Sequence, residues 1–291
     1  MKTNKCILFF SGFILCPIFV NASISKNQLL SNLLTNDTIM KADSTKEEKP
    51  THFTISLTGG NNLVQKGKKQ AIEQRYIAPK LGYSFTSGIY TNLFANYLFN
   101  TPKKPLDNIG FGAGYEHSYG DHFSIDFGYS YTHYNSKKQV TSSEPNTISL
   151  SLSWSGNILT PALSSSYGFG TGSDFTNDFT LSHSFDFKKI FGKNDKLSIP
   201  LSIGASAGTS NFYREYAKNN ILKKKGGKAV IPSEINTSFA LTSYSFGTGI
   251  TYSIKHFSIS PAINYTFSTN DPSNIDLSTV PVITLVLSLS F

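Results

Sequence analysis

The chain is short of charged residues, cysteine and arginine, and each shortage excludes a class of protein. Only 15% of its 291 residues are charged, whereas soluble domains have about 25%. Both cysteines, Cys6 and Cys16, lie near the N-terminus, so the rest of the chain has no thiol for catalysis, disulfides or zinc. Arginine occurs only at Arg75 and Arg214, and without a basic helix or stacking motif we expect no nucleic-acid partner.

Long hydrophobic runs are also missing beyond the N-terminus, which argues against membrane-spanning helices in the main part of the chain. The N-terminus itself has Lys2 and Lys5, then an apolar run over 6–20, then Val20-Asn21-Ala22. This order is typical of an export signal cleaved after a small residue. We therefore predict a signal peptide over 1–22.

Two further regions follow the predicted signal. Residues 23–50 are rich in Lys, Asp, Glu, Ser and Thr and have few strand-forming residues. We predict that they form a flexible periplasmic tail, with a small plug as the alternative. From residue 51 to 291, segments of alternating apolar and polar residues repeat, separated by Gly, Asn, Asp and Lys.

The alternation is clearest over 121–134. Successive side chains of a β-strand point to opposite faces. One face of this segment would therefore have Phe123, Ile125, Phe127, Tyr129 and Tyr131, and the other Ser124, Asp126, Gly128, Ser130 and Thr132. The segments over 147–154 and 197–208 divide in the same way. Each strand is predicted to have one apolar face and one face of small polar residues.

The distribution of lysine indicates which face meets water. A soluble protein surface has charges of both signs interspersed over it. Here the polar faces have Ser, Thr, Gly and Asn, and the lysines lie almost entirely in the connections. This pattern favours apolar side chains outside and polar side chains inside an enclosed space.

Twelve such segments can be counted. They lie near 52–59, 76–86, 88–99, 108–118, 122–134, 146–154, 157–168, 175–187, 196–208, 242–254, 257–268 and 280–291. Their connections are alternately short and long, as in outer-membrane barrels, which also have an even number of strands. This arrangement would place both ends of the barrel domain in the periplasm.

The last segment has the most specific pattern. Its apolar residues fall at every second position up to a terminal aromatic residue: Ile283, Leu285, Leu287, Leu289 and Phe291. This pattern resembles the C-terminal signal by which outer-membrane barrels are recognised for insertion. With the export signal and the strand pattern, the chain resembles the Gram-negative outer-membrane β-barrels of general porin or transporter type.

The resemblance implies an all-β fold, an antiparallel up-and-down transmembrane barrel of about 12 strands over residues 51–291, located in the cell outer membrane. It also implies the barrel-assembly machinery as a partner. Aromatic residues at strand ends fit the two belts that such barrels have at the membrane interfaces. The inner belt would comprise Trp154, Tyr119, Phe187 and Phe257, and the outer belt Tyr97, Phe99, Tyr134, Tyr167 and Phe267.

Few charges are predicted to face the barrel interior. Glu116, Asp126 and Asp186 would point inward in the periplasmic half, and Lys80 near the outer rim. If the lumen is open, these carboxylates would favour cations weakly; they could equally bond to neighbouring hydroxyl groups and close it. Several glycines on the inward face leave room for a narrow passage: Gly110, Gly112, Gly114, Gly128, Gly204, Gly247 and Gly249. The long loop over 209–241 could fold inward and restrict it.

Lysines cluster in the long connections. They are Lys66, Lys68, Lys69, Lys103, Lys104, Lys137, Lys138, Lys223, Lys224, Lys225 and Lys228. The basic loops could attract the anionic phosphates of lipopolysaccharide and outer-membrane lipid, or could simply be solvated. The sequence does not distinguish these two interpretations.

The leading hypothesis for function is a passive channel or transporter for small solutes. The alternatives are a closed barrel that acts through its extracellular loops and, third, a lipid-modifying enzyme. Enzymes of that kind have a His-x-Ser pair with a polar residue about twelve positions later. His122 and Ser124 precede Asn135, and His256 and Ser258 precede Asn270. Both pairs fall at predicted periplasmic turns, far from Asn135 and Asn270, so we predict that the protein is not an enzyme. We also predict no cofactor. The histidines are dispersed along the sequence, and we therefore predict no metal site.

Overall fold

The computed structural model describes residues 51–61, 64–65, 68–69, 75–99, 105–135, 144–156, 158–170, 173–209, 239–269 and 281–291. The predicted signal peptide over 1–22, the tail over 23–50 and most of the long-loop lysines lie outside these residues. No helix in the described ranges is long and apolar enough to cross a membrane.

The described chain is built from strands. They are β1 (His52–Gly60), β2 (Val64–Gln65), β3 (Lys68–Lys69), β4 (Tyr76–Ser84), β5 (Ile89–Leu98), β6 (Leu106–Tyr119), β7 (Phe123–Tyr134), β8 (Asn146–Trp154), β9 (Thr160–Phe169), β10 (Ser173–Lys188), β11 (Asp195–Gly208), β12 (Ala240–Gly249), β13 (Thr251–Ile254), β14 (Phe257–Ser268) and β15 (Val282–Ser290). All twelve predicted segments are present, with ends that shift by a few residues.

The strands close into a barrel. Each long strand pairs antiparallel with its neighbours in the chain, and β1 pairs with β15. The strands β12 and β13 occupy one position in the wall, interrupted at Ile250. The predicted all-β, antiparallel barrel of 12 strands is therefore confirmed. Full closure leaves no unpaired sheet edge.

Burial follows the predicted alternation. On β5, Leu93 is 58% exposed, whereas Asn92 and Phe94 on either side of it are buried. The same contrast between exposed apolar and covered small polar residues occurs along β6 and β7. The apolar rows therefore lie on the outside of the barrel and the small polar rows on the inside.

The two ends of the barrel differ in their connections. One end has the short turns at 85–88, 120–122, 155–159, 189–194 and 255–256, together with His52 and Phe291. Gly88 and Gly120 adopt left-handed backbone conformations there, with φ of 89° and 62°, which glycine permits because it has no Cβ. The long connections lie at the other end. One connection predicted to be long, at 169–174, has only three residues, because β9 ends at Phe169 and β10 begins at Ser173. Since outer-membrane barrels have short periplasmic turns, we assign the short-turn end to the periplasm.

Aromatic residues are exposed at both ends. At the periplasmic end these include Trp154 and Tyr119, and at the other end Phe99 and Phe267. One predicted member of the outer belt is misplaced, because Tyr134 falls on the same side of β7 as the buried Thr132 and faces inward. The alternation along β7 continues to its end and excludes Tyr134 from the lipid-facing side.

Candidate functional site

The barrel interior is lined mostly by small polar side chains. The buried polar and charged residues of the wall include Ser56, Thr58, Asn92, Asp107, Asn108, Thr132, Thr147, Ser166, Asp174, Thr176, Ser198, Ser206, Thr242 and Ser243. In the described part of the chain, only Tyr76, Phe94 and Leu98 are buried apolar side chains. The interior is therefore a polar wall and has no hydrophobic core of ordinary size.

A row of glycines on β6 accommodates the large inward side chains of β5. Phe94 pairs with Gly110, and Tyr90 pairs with Gly114. A Cβ atom at Gly110 would lie 2.5 Å from Cζ of Phe94, and one at Gly114 would lie 2.5 Å from Cζ of Tyr90. Glycine in a strand permits this close approach, so both rings lie along the wall.

Tyr90 crosses two strands and ends on a carboxylate. Its hydroxyl passes Gly128 on β7 and donates a hydrogen bond of 3.0 Å to Oδ1 of Asp126. A side chain at Gly114 or Gly128 would displace the ring. The two glycines thus determine where Tyr90 lies and where its hydroxyl binds.

Three of the predicted interior charges come together around this contact. Glu116 on β6 lies directly opposite Asp126 on β7 in the strand register. Lys80 and Glu116 both act electrostatically on Asp126. The structure places Lys80 at the middle of β4, nearer to the carboxylates than its predicted position at the outer rim.

The fourth predicted residue, Asp186, lies apart from this group. It accepts a hydrogen bond from Ser184 at 2.9 Å and forms an ion pair with Lys196 at 2.9 Å. Lys196 shares the inward side of β11 with Ser198. The ion pair with Lys196 therefore neutralises Asp186, the inward carboxylate at the periplasmic end of β10.

Two further carboxylates on β10 face inward and were not predicted. Oδ1 of Asp178 accepts a hydrogen bond from Ser206, and Oδ1 of Asp174 accepts one from Thr209 at 2.9 Å. Asp178 shares its side of β10 with Asp186, so the same alternation could have identified it. Asp174 escaped because β10 begins at Ser173, two residues before the predicted start.

The opposite wall has the same construction on a smaller scale. A Cβ at Gly247 on β12 would collide with the amide oxygen of Asn264 on β14, and one at Gly204 would lie 2.7 Å from Oγ of Ser245. Side chains from one strand again lie over glycines of its neighbour. On both of these described walls, side chains therefore lie along the wall.

The residues of the first His-x-Ser set, His122, Ser124 and Asn135, are not assembled. His122 lies at a periplasmic turn, Ser124 bonds with Ser153 at 2.6 Å, and Asn135 donates to the carbonyl of Leu106 at the opposite end. The twelve residues of β7 separate His122 from Asn135, a distance of roughly 40 Å. His256 stacks on Phe291 at a centroid distance of 6.0 Å, and Asn270 lies outside the described residues.

The residues of the predicted insertion signal form one row on β15. Ile283, Leu285 and Leu289 are exposed on the outer side, and Leu287 is half-buried on the same side. Phe291 is also exposed, and its backbone exchanges hydrogen bonds of 2.9 and 3.0 Å with Phe53 on β1. The row therefore lies at the seam that joins the last strand to the first.

A closed barrel with apolar side chains outside and polar side chains inside is stable in the hydrocarbon core of a membrane. Burying the exposed rows in lipid removes large apolar areas from water, and closure satisfies the backbone hydrogen bonds. The chain is accordingly an outer-membrane β-barrel protein.

Comparison with known proteins gives structural likenesses only. No family model and no curated protein matches the sequence. The barrel is similar to the NanC porin, with 11% identity and a TM-score of 0.47 over 81% of this chain and 98% of that one. It is also similar to the KdgM porin in complex with disordered oligogalacturonate, with 13% identity and a TM-score of 0.45 over 82% and 99% of the two chains.

A third similar structure is LpxR from Salmonella typhimurium, with 11% identity and a TM-score of 0.45 over 82% of this chain and 99% of that one. At these values the likenesses concern the barrel shape.

Proposed function

We propose that the protein is a passive channel for small solutes across the outer membrane. The observation that supports this most directly is the position of the large inward side chains, which lie along the wall over glycines. Eight-stranded barrels are filled by their side chains, whereas barrels of 16–18 strands leave an aqueous channel. In a barrel of 12 strands, placing rings against the wall favours an open centre.

The interior charges favour cations and neutral solutes over polyanions. Among the described residues, the inward carboxylates, which include those of Glu116, Asp126, Asp174, Asp178 and Asp186, outnumber the three inward lysines, Lys80, Lys188 and Lys196. Rings of carboxylates favour cations in pores. An acidic oligosaccharide would need a ladder of basic residues that this inner wall does not provide.

The direct test is conductance of the refolded full-length protein in a planar lipid bilayer. We expect stepwise current increases as single barrels insert, with a reversal potential in a salt gradient that indicates cation preference. Absence of steps at every voltage would contradict the channel and support the alternative of a closed barrel that acts through its loops.

A variant pair links the current to the wall glycines. Gly112→Val places a side chain where a Cβ would lie 2.9 Å from Oδ1 of Asn92, so Asn92 should move into the lumen and lower the single-channel conductance. The neighbouring Ala113 faces outward, and Ala113→Val is the matched control, expected to leave conductance unchanged. Equal conductance of Gly112→Val and the wild type would contradict a lumen bounded by this wall.

We propose that the C-terminal row is recognised by the barrel-assembly machinery. Phe291→Ser should reduce the fraction of protein assembled in the outer membrane of cells, measured by heat-modifiable migration of membrane fractions. Phe257→Ser, which removes another exposed aromatic residue near the same seam, should have a smaller effect. Equal assembly of Phe291→Ser and the wild type would contradict the role.

We also propose that the loop lysines bind lipopolysaccharide. A lipopolysaccharide pull-down with Lys68→Gln/Lys69→Gln tests this for two of them, and we expect reduced capture. Undiminished capture would contradict a role for these two lysines.

A further inference from the structure

Lysines are concentrated at one place on the periplasmic rim. Five of them line a single open cleft formed by the β10–β11 turn and the β13–β14 turn: Lys188, Lys189, Lys193, Lys196 and Lys255. The short turns at 85–88, 120–122 and 155–159 have neither lysine nor arginine. We call these five residues the basic rim cluster. Among the described residues, the periplasmic end is therefore basic on one side only.

The backbone beneath the cluster is fixed by hydrogen bonds. The buried carboxylate of Asp195 accepts from the backbone N–H of Phe191 at 2.7 Å and of Gly192 at 2.9 Å, and from the hydroxyl of Tyr252 at 3.2 Å. The N–H of Lys255 donates to the carbonyl of Asn194 at 3.4 Å, which joins the two turns. A site whose backbone is already ordered loses less conformational freedom when a ligand binds.

Among the described residues, the five lysines of the cluster outnumber the carboxylates beside them, Asp186 and Asp195. The carboxylate of Asp195 accepts hydrogen bonds from the backbone of its own turn, and Asp186 forms an ion pair with Lys196 at 2.9 Å. Lys188 lies directly opposite Lys196 in the strand register, and like charges in this arrangement repel. An anion in the cleft would relieve the repulsion.

Exposed apolar side chains lie beside the lysines. Phe191 is 80% exposed, and Phe187, Ile190 and Ile254 are also exposed. Phe187 and Ile254 fall on the lipid-facing side of their strands, and the ring of Phe191 contacts that of Tyr252 on the same side. Lysines next to such a row can reach the headgroup level while apolar groups enter the hydrocarbon boundary.

We propose that the basic rim cluster binds the headgroup of an anionic phospholipid in the periplasmic leaflet, with its acyl chains against the neighbouring apolar side chains. A soluble anion would satisfy the lysines but would make no contact with the neighbouring Phe191 and Ile190. A lipid satisfies both. Lys189 and Lys193 lie in the turn beyond the wall strands, so a test that changes these two residues does not depend on conduction.

The test is native mass spectrometry of the refolded full-length barrel in detergent, titrated with phosphatidylglycerol or phosphatidylcholine. Lys189→Gln/Lys193→Gln should raise the dissociation constant of the first phosphatidylglycerol adduct about tenfold, given the favourable energy of each lysine near anionic lipid. Binding of phosphatidylcholine should not change. Lys68→Gln/Lys69→Gln removes the same charge on the β2–β3 hairpin and should leave the constant unchanged.

A second variant distinguishes a lipid from a soluble anion. Phe191→Ser should weaken phosphatidylglycerol binding, and glycerol phosphate at millimolar concentration should not displace the lipid. Equal losses in the two lysine pairs would indicate a net-charge effect and overturn the site. Unchanged binding in Lys189→Gln/Lys193→Gln would overturn it too, as would full displacement by glycerol phosphate.

Discussion

The β6–β7 and β10–β11 hairpins have the same architecture but differ in the charge around their inward carboxylates. Each joins two long strands through a periplasmic turn, and each has acidic residues on its inward side. On β6–β7, Glu116 and Asp126 lie opposite one another. On β10–β11, Asp186 pairs with Lys196, and the turn beyond it belongs to the basic rim cluster.

The difference shows that the face of a strand determines where a charge lies, whereas its cross-strand partner determines what the charge does. Asp126 and Asp186 both follow from the same alternation. The first lies in an acidic group with a tyrosine hydroxyl bound to it, and the second is neutralised. In the channel that we propose, only the carboxylate of Asp126 would act on a permeating ion.

The largest expected effect tests the tighter packing of the β6–β7 side. In Gly114→Ala the Cβ would lie 2.5 Å from Cζ of Tyr90 and 2.6 Å from the carbonyl oxygen of Phe127. Because the second contact is with backbone, we expect a loss of about 1–3 kcal/mol in the free energy of unfolding. Urea unfolding of the barrel in lipid vesicles measures it.

Gly204→Ala is the matched variant on β11. There the nearest atom is Oγ of Ser245, which can rotate away, and the carbonyl oxygen of Phe179 is at 3.2 Å. The loss should be smaller than in Gly114→Ala. Equal losses would remove the distinction in packing between the two hairpins.

The next effect concerns ion selectivity. Asp126→Asn removes one charge from the acidic group and should lower the potassium-to-chloride permeability ratio, measured from the reversal potential in a salt gradient. Asp186→Asn should change the ratio less, because Lys196 already neutralises that carboxylate. Asp121→Asn, in the exposed β6–β7 turn, controls for net charge. A larger shift in Asp186→Asn than in Asp126→Asn would reverse the comparison.

The smallest effect is the contribution of the Asp186–Lys196 ion pair to stability. Both side chains are partly exposed, at 33% and 21%, and such pairs typically contribute about 0.2–1 kcal/mol. A double-mutant cycle with Asp186→Asn and Lys196→Gln should give a coupling in this range that decreases with added salt. A coupling that salt does not change would indicate that the pair is screened from solvent.

Much of the fold could be predicted because a strand period of two residues is a local property. It identified the twelve wall strands and the outward row on β15. It said less about strand ends. The alternation itself places Tyr134 in the inward row of β7, and the error was to assign it to the outer belt by its height alone. Asp174 was missed because it precedes the predicted start of β10. Strand ends depend on partner strands, which a single segment does not contain.

The interior could be predicted only in part. The alternation along the sequence predicted that Asp126 faces inward. The contact between Tyr90 and Asp126 could not be predicted, because it requires Gly114 and Gly128 to lie between them. The role of Asp195 as an acceptor for its own turn was equally invisible, since Tyr252 is distant in sequence. Both arrangements depend on which residues the register places side by side.

By itself the sequence determined the class of fold and which face of each strand meets lipid, because alternation along a strand needs no partner to define it. Tertiary structure decided which charges stand together, which are neutralised and where the lysines gather. Closing the barrel sets the register between strands, and register determines the neighbours of every inward side chain.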